Sequence, residues 1–587
     1  MLETYQEKMI EMNYLHGDET TSDDMFERVS NYYGNDTNQS KRLLSYMQKL
    51  WFMPATPVLA NGGTDRGLPI SCFLNYVPDS RKGLSDHYSE NIWLSSMGGG
   101  IGGYWGDIRS TGIATSRGSE STGLIPFVKV VDSQIQAFQQ GKNRRGAYAS
   151  WLRIDHPEVE EFLDIRKPTG GDINRKALNI HHGLVISEKF MELVQGKEKA
   201  RKENTEFDDS FDLVDPHTMK VVKTVKATDL WINILENRIS TGEPYIMFDK
   251  AVNDALPPSL KEKGLSVKHS NICSEITLPV NDDRTAVCCL ASLNIETYDE
   301  WKNNDIIVHD IIDFLNNVLD DFIKKAPPEL SRAVYSATRE RSIGLGAMGF
   351  HSYLQKNNVP FESLSAKLIN KEVFQHIYIK ATEASIKLAE RDGVYPDAIT
   401  EGPNKDIRRN AHIMAIAPNA SISIISDNTS PGIEPVRANS FRQKTKAGSN
   451  NYRNKYLVEV LKKYGKNDLT TWESIGGNKG SVSHLEYLSK DESDIFKTAI
   501  EIDQKWLIEL AADRQQYICQ AQSLNLFFTS VVHKAYLHNI HMMAWHKGLK
   551  TLYYVRSEAP FRADDLTKKI ERSPEIDYED ACVACAS

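Results

Sequence analysis

Ala286-Val287-Cys288-Cys289-Leu290-Ala291-Ser292-Leu293-Asn294 is an apolar run with polar residues close on either side. Bounded so closely, it reads as a buried strand. Gly183–Ser187 and His412–Pro418 have the same character, and Gly, Pro, Asn and Ser punctuate the chain around them. Between these runs lie longer amphipathic stretches, Phe374–Arg391 and Asp503–Ala512, whose spacing predicts helices. Short strands alternating with helices predict an α/β domain with parallel strands. The first fifty residues read instead as helices, with Thr21-Ser22-Asp23 as a cap before Met25, Phe26 and Val29. Residues 204–215 and 447–452 read as exposed insertions. No fixed-period repeat or linker divides the middle of the chain. The expected organisation is a helical region over 1–50, one large α/β unit over 51–560, and a tail over 561–587.

The chain has 587 residues, 40% of them hydrophobic and 25% charged, which excludes wholesale disorder and fibrous classes. A net charge of -9 argues against a dedicated nucleic-acid binder. No apolar run approaches the ~18 residues of a membrane span, and Met1–Asp24 has neither the basic nor the apolar part of a secretory signal. These features predict a cytoplasmic enzyme. Seven cysteines are too few and odd in number for a secreted disulfide scaffold. A structural zinc site needs four ligands, commonly in two close pairs, and only Cys582-Val-Ala-Cys585 is such a pair. His533, His538, His541 and His546 cluster in sequence but read as ordinary helix and surface residues, so no metal site is expected. The stretch Ala563–Asp580 is charged and poor in apolar residues, and a mobile tail ending in a dithiol suits electron delivery to another site.

Three constellations carry chemistry. Gly98–Gly103 and Gly344–Gly349 both match G-x-G-x-x-G, yet neither follows a convincing strand, so a dinucleotide fold is rejected. In Ser270-Asn271-Ile272-Cys273-Ser274-Glu275, an extended backbone would project Asn271, Cys273 and Glu275 to one side. A carboxamide, a thiol and a carboxylate on one face suit hydrogen-atom or proton transfer. A core cysteine explains Cys273 but not the charged neighbour. After the run ending at Pro418, the hydroxyls and backbone amides around Ser421 and Ser423 suit a phosphate as well as they suit a helix cap. Tyr553-Tyr554 is a packing pair unless a radical cysteine lies near.

In sequence order, these segments resemble the catalytic large subunit of class I ribonucleotide reductases. The resemblance runs through Ala55-Thr56-Pro57, Leu68–Leu74 with Ser71-Cys72, Gly99–Gly102, Ser240–Tyr245, Ser270–Glu275 and Val287–Asn294. It continues through Pro418–Pro435 and Gly548–Tyr554 to Cys582 and Cys585. It implies a ten-stranded α/β barrel of two half-barrels with a finger loop inside. By that resemblance Cys273 is the thiyl cysteine, Glu275 a base on the 3′ hydroxyl and Asn271 a hydrogen-bond donor to the sugar. Cys72 and Cys288 would end as a disulfide, Cys72 having protonated the leaving 2′ hydroxyl. Cys582 and Cys585 would re-reduce them, and thioredoxin or glutaredoxin would restore the tail. Tyr553 and Tyr554 would relay a radical from a separate metal-bearing small subunit, this chain binding no cofactor of its own. Thr56, Ser71, Gly100, Ser421 and Ser423 match positions that hold a ribonucleoside diphosphate. Cys519 falls outside the plan and reads as structural.

The resemblance also implies a homodimer with an effector site for ATP or a deoxynucleoside triphosphate around Asp79 and Arg109, reporting through Thr169–Leu178. An adenosylcobalamin-dependent reductase of the same fold is the nearest alternative, disfavoured by Tyr553-Tyr554. An inactive regulatory homologue is disfavoured by the intact Cys72, Cys273, Glu275 and Cys288. About fifty residues precede Pro54, short of the roughly hundred-residue module that carries an overall activity switch in other members. Inhibition by dATP is therefore expected to disappear when Asp79 is replaced; activity assays with an Asp79→Ala variant check this, and surviving inhibition would refute it.

Overall fold

The structure is a computed structural model that describes residues 4–116, 118–138, 146–445, 448–557 and 575–577. Nine strands form the main sheet: β1 (Phe52–Pro54), β2 (Cys72–Tyr76), β3 (Gly100–Tyr104), β4 (Ala147–Arg153), β5 (His181–Ile186), β6 (Tyr245–Phe248), β7 (Ala286–Asn294), β8 (Ile343–Met348) and β9 (Thr551–Leu552). Strands β2 to β6 pair in parallel, each joined to the next by a crossover containing helix. Strand β7, the run that decided the reading, is buried along its whole length and joins the halves. Its first part pairs antiparallel with β2, its last part pairs antiparallel with β1, and its other edge carries β8 in parallel.

The ring closes through extended segments rather than long strands. Leu345 bridges Met414, Ile416 bridges Gln522, and Tyr553 N–H donates to the Leu524 carbonyl at 2.9 Å. β9 then returns antiparallel to β6. Counting 412–418 and 521–528 with β2 to β9, the circuit has the ten strand-like segments expected. The strand expected over His412–Pro418 is thus reduced to bridges. Both glycine motifs contribute strand residues, Gly100–Gly103 to β3 and Gly344–Met348 to β8, where a dinucleotide fold would need a strand-to-helix turn.

At the amino end, Thr21 caps the helix Ser22–Tyr33 in a reciprocal capping box with Asp24, and Asp36 caps Thr37–Gln48. These helices dock on Ile307–Lys325, where buried Asp310 accepts hydrogen bonds from Arg42, Tyr46 and Gln39. Phe374–Arg391 lies within the helix Leu364–Asp392, and Asp503 caps Gln504–Gln515. The insertion expected over 204–215 is only partly exposed. Ser210–Val214 pairs with Val221–Lys226, Phe211 and Leu213 are buried, and Asp215 accepts from the Ser110 amide at 2.8 Å. In the second insertion, Gly448–Arg453 forms an outer strand paired with Ser440–Thr445.

His269–Val280 threads the ring as a buried finger without regular structure. The one-sided extended geometry expected there is not what forms. Residues 271–274 make a turn, with Ser274 at φ 65° and its N–H 3.3 Å from the Asn271 carbonyl. The finger joins no regular strand; the Ala521 amide donates to the Glu275 carbonyl at 2.9 Å, and side chains satisfy other groups. Asn271 Oδ1 accepts from the Ile276 amide at 3.1 Å, and the Ser270, Ser523 and Thr551 hydroxyls donate to the carbonyls of Ile276, Cys273 and Ser274 at 2.7, 2.6 and 2.7 Å. Close approach is what Gly102 provides, since a Cβ there would lie 2.2 Å from the Ser270 carbonyl oxygen. Gly102→Ala is expected to displace the finger, lowering unfolding free energy by about 1–3 kcal/mol and reducing activity. Urea unfolding and turnover assays check it, and an unchanged midpoint with full activity would contradict the packing.

Candidate active site

The ring brings the chemistry-bearing residues together from distant parts of the chain. Cys72 on β2 and Cys288 on β7 are directly opposed in the antiparallel register. Opposed residues put their side chains on one face with Cα atoms about 4.5–5.5 Å apart, within disulfide range. Cys289, one residue on, faces the other way, and its thiol lies 3.3 Å from the Leu315 carbonyl. Alternation along the strand therefore separates the two adjacent cysteines. Burial, then the neighbouring thiols Cys289 and Cys72, push the Cys288 pKa well up. Gln520 offsets part of this with an amide N–H 3.7 Å from Cys288 Sγ. Gly344 makes room for the thiol, since a Cβ there would sit 3.0 Å from Cys288 Sγ.

The tip of the finger stands over this pair. Asn271 Nδ2 is 3.9 Å from Cys72 Sγ, and Cys273 and Glu275 are fully buried. Ser523 ties the tip together, its hydroxyl 2.6 Å from the Cys273 carbonyl and 3.1 Å from Glu275 Oε2. A cavity beside the pair is lined by Thr56, Ser71, Cys72 and Ser421, with Ser292 and Asn419. Gly100 pairs with Cys72 and donates its amide to the Ser71 carbonyl. Ser423 does not line this cavity; it donates to the Ala420 carbonyl at 3.1 Å and lines a neighbouring one with Thr429, Ser430 and Arg437. Sequence reasoning overlooked Ser292, whose hydroxyl donates to Asn419 Oδ1 at 3.0 Å, and Tyr14, whose hydroxyl is 3.3 Å from Thr56 Oγ1. Ser292 lies inside the Cys-x-Leu-Ala-Ser-Leu run, but no local pattern ties Tyr14 to Thr56.

The aromatic cluster is tighter than a sequence pair suggests. The rings of Tyr553 and Tyr554 lie 4.3 Å apart, and they share a hydrophobic cluster with Cys273. Tyr245, the last residue of the Ser240–Tyr245 segment and given no role there, packs on both at 4.8 and 5.0 Å. Burial pushes the Tyr245 phenol well up in pKa. Behind it, fully buried Glu243 is paired with Arg166, His181 and His182. Burial alone would raise that carboxyl, but the charges of His181 and Arg166 and the hydrogen bonds from both histidines hold it well below the usual range.

Other expectations fall in separate places. Arg109 Nε donates to Asp79 Oδ2 at 2.8 Å, half-buried, and Thr169–Leu178 holds the short turn Ile173–Arg175. Cys519 accepts the Ile413 and Met414 amides at 3.2 Å each. Lys550, pushed down to about 8 by burial, donates to the Ile518, Cys519 and Gln520 carbonyls. His533, His538, His541 and His546 have separate partners: the Ala535 amide, Trp231 with Glu198, Arg238, and Gln195. Cys582 and Cys585 lie outside the described residues.

A ring closed around a buried loop bearing a thiol and a carboxylate, beside an opposed thiol pair, defines a barrel oxidoreductase of the thiol type. The chain matches the family description "Ribonucleotide reductase, barrel domain" over residues 70–406 and 404–555, and "Ribonucleotide reductase, all-alpha domain" over 3–67. It is 41% identical to the ribonucleoside-diphosphate reductase large subunit of Invertebrate iridescent virus 3, over 94% of this chain and 93% of that one. It is 32% identical to the large subunit of Trypanosoma brucei brucei, over 91% and 70%. Among solved structures, the Actinobacillus ureae class Id ribonucleotide reductase alpha subunit superposes with a TM-score of 0.82 at 33% identity, covering 95% of this chain and 97% of that one. The chain belongs to the ribonucleotide reductase large-subunit family, and it is the catalytic subunit of a ribonucleoside-diphosphate reductase.

The buried ion cluster carries a pH signature. Removing one partner of such a cluster typically costs about 3–5 kcal/mol, so Glu243→Gln is expected to lower stability by about that much at neutral pH. Because the folded carboxyl titrates below its unfolded value of about 4.3, its contribution is complete above that pH and is lost as pH falls through the folded value. Urea unfolding across the acid range is expected to show the gap between wild type and variant narrowing below about pH 4.3. A gap of constant width would contradict the assignment.

Proposed function

We propose that this chain reduces ribonucleoside diphosphates to deoxyribonucleotides through a thiyl radical on Cys273. The observation that carries the reading is the Cys72–Cys288 register beneath the Asn271–Glu275 finger. Cys273 removes the 3′ hydrogen of the ribose, and Glu275 takes the 3′ hydroxyl proton while Asn271 binds the sugar. Cys72 protonates the departing 2′ hydroxyl, which leaves as water. The two electrons for the net reduction come from Cys72 and Cys288, which end as a disulfide. The hydrogen then returns from Cys273 to C3′. Thr56, Ser71, Ser421 and the backbone around Gly100 hold the substrate, with Ser423 supporting the phosphate loop from outside the cavity. Cys582 and Cys585 re-reduce the disulfide by thiol exchange, and thioredoxin or glutaredoxin restores the tail. Effector nucleotide binds at Asp79 and Arg109 of a homodimer.

The radical arrives from a metal-bearing small subunit through Tyr554 and Tyr553, a reading supported by the 4.3 Å ring contact and the cluster shared with Cys273. We assign docking of that subunit to the cleft of about 710 Å³ lined by Trp231, Leu235, Val532 and His538. The helix Lys534–His546 forms one wall of this cleft and leads directly into Thr551–Tyr554.

The test is CDP reduction with dithiothreitol and an effector nucleotide, by the chain alone, with adenosylcobalamin, and with a metal-loaded small subunit. Turnover is expected only with the small subunit, and loss of turnover in Cys273→Ser and Tyr553→Phe. Replacing Cys582 and Cys585 by Ser is expected to abolish thioredoxin-driven turnover while dithiothreitol still supports it. Turnover with adenosylcobalamin alone would overturn the class, and activity of Cys273→Ser would overturn the chemistry.

A further inference from the structure

A reductant carried on a tail has to find the buried pair it serves, and a long free tether does this poorly. Cys582 stands twenty-five residues beyond Ser557, where the strand Val555–Ser557 ends. A free chain of that length spreads its end over a radius of about 25–30 Å. The tail has a seat on the body, however. Glu575–Asp577 lies as a parallel strand along Arg442–Lys444, with Arg442 opposite Glu575, Gln443 opposite Ile576 and Lys444 opposite Asp577. The receiving strand, Ser440–Thr445, is paired on its other side with Gly448–Arg453, so the added segment completes a three-stranded sheet. Residues 440–455 include five Lys or Arg and no Asp or Glu, whereas 575–580 include four Asp or Glu and no Lys or Arg. Opposite charges in register favour such a pairing, and backbone hydrogen bonding gives it direction. The seat is anchored in the body and lies beside the substrate cavity. Buried Asn439 and Asn454 fix its base, Asn454 Nδ2 donating to Asn439 Oδ1 at 2.8 Å and Asn439 Nδ2 to the Phe496 carbonyl at 2.7 Å. Phe441, Gln443 and Tyr452 line a cavity with Ser423. Ser423 shares the helix Ala420–Ile425 with Ser421, which lines the cavity of Cys72.

We propose that the outer edge of Ser440–Thr445 is the docking edge of the redox tail, where Glu575–Asp577 adds as a strand and delivers Cys582 and Cys585 to the oxidised Cys72–Cys288 pair. The proposal rests on the tail reading given above. Seated there, the tether to Cys582 shortens from twenty-five residues to five. The local concentration of a tethered end falls as about the −3/2 power of tether length, so seating raises that of the dithiol about 10-fold around the hairpin. One tail thiolate then attacks a sulfur of the Cys72–Cys288 disulfide, breaking its S–S bond and forming a mixed disulfide. The second tail thiol displaces that bond in turn. Two electrons and two protons have then passed to Cys72 and Cys288, which are thiols again, and Cys582–Cys585 is the disulfide. A seat of three residues opens at little cost, as it must for the tail to meet thioredoxin or glutaredoxin. The stretch 447–452, read from sequence as an exposed insertion, backs the strand that receives the tail.

The test is a burst experiment with the fully reduced chain, loaded small subunit, CDP and effector nucleotide, after external reductant has been removed. Each reduced thiol pair yields one dCDP, so the first product draws on Cys72 and Cys288 and the second on the tail. Ile576→Pro/Asp577→Pro changes the tail alone. Successive N–H groups of a strand point to opposite edges, so these two prolines remove one that faces the hairpin whichever way the strand is turned. The first product is expected to form at the wild-type rate, and the second about 10-fold more slowly. Glu575→Lys/Asp577→Lys is expected to behave alike, and adding Arg442→Glu/Lys444→Glu to it is expected to restore the second product. A second product at the wild-type rate from Cys582→Ser/Cys585→Ser would remove the tail reading and the proposal together. Its loss there beside an undiminished rate in the proline variant would overturn the proposal alone. So would a charge-reversed tail that charge reversal on the hairpin leaves unrescued.

Discussion

A polar loop threaded through the centre of a closed ring must find a partner for every backbone N–H and C=O outside any regular sheet, and most of this architecture answers that demand. Each unpaired group in such a place costs about 1–3 kcal/mol. The finger is therefore pinned by side chains drawn from several parts of the chain: Ser270 and Asn271 from itself, and Ser523 and Thr551 from the closing segments. His269 adds a contact between its Nε2 and the Gly102 carbonyl at 2.9 Å. The glycine-rich β3 follows from the same demand, since its backbone must come close to the loop it supports. Rigidity is the chemical return. Asn271, Cys273 and Glu275 are held by a turn whose shape several side chains fix at once.

The closing segments do two jobs at once. Residues 518–528 hold the finger through Ser523, hold Cys288 through Gln520, and pair with the chain around Tyr553 and Tyr554. Lys550 fastens their start by donating to three successive carbonyls. Arg238 fastens the aromatic side, with Nη2 donating to the Tyr553 carbonyl at 2.9 Å and Nε to His541. A buried lysine and a buried arginine spent on backbone carbonyls are unusual investments of charge, because desolvating a cation is costly unless several acceptors surround it. Here the acceptors are the loop carbonyls that the ring leaves without sheet partners, so the charge and the backbone satisfy one another.

Much of this was legible in the residues. The strand over Ala286–Asn294, the helices within 364–392 and 504–515, and the capped helix after Thr21 follow from apolar spacing and cap chemistry, which are local properties. The proposed reactive set came from compact motifs around Cys72, Cys273, Glu275 and Cys288. The local geometry of the finger was misjudged. An alternating Asn-x-Cys-x-Glu pattern fits a strand, but a strand needs edges to pair with, and inside the ring a turn stabilised by the Asn271 side chain takes its place. The stretch 204–215 was likewise read as exposed, while Phe211, Leu213 and the buried acceptor Asp215 tie its second half to the body.

By itself the sequence determined which residues bring thiols, carboxylates and phenols, and which runs become strands, since both depend on side-chain chemistry and short-range periodicity. Tertiary structure alone decided which of these residues meet. The opposition of Cys72 to Cys288 is a matter of register between strands more than two hundred residues apart. Tyr14 over Thr56, Ser523 beneath the finger, and His181 against Tyr554 are likewise contacts between distant segments. Such contacts leave no periodic trace in a single chain, because the energy that selects them comes from closing the ring and burying its centre.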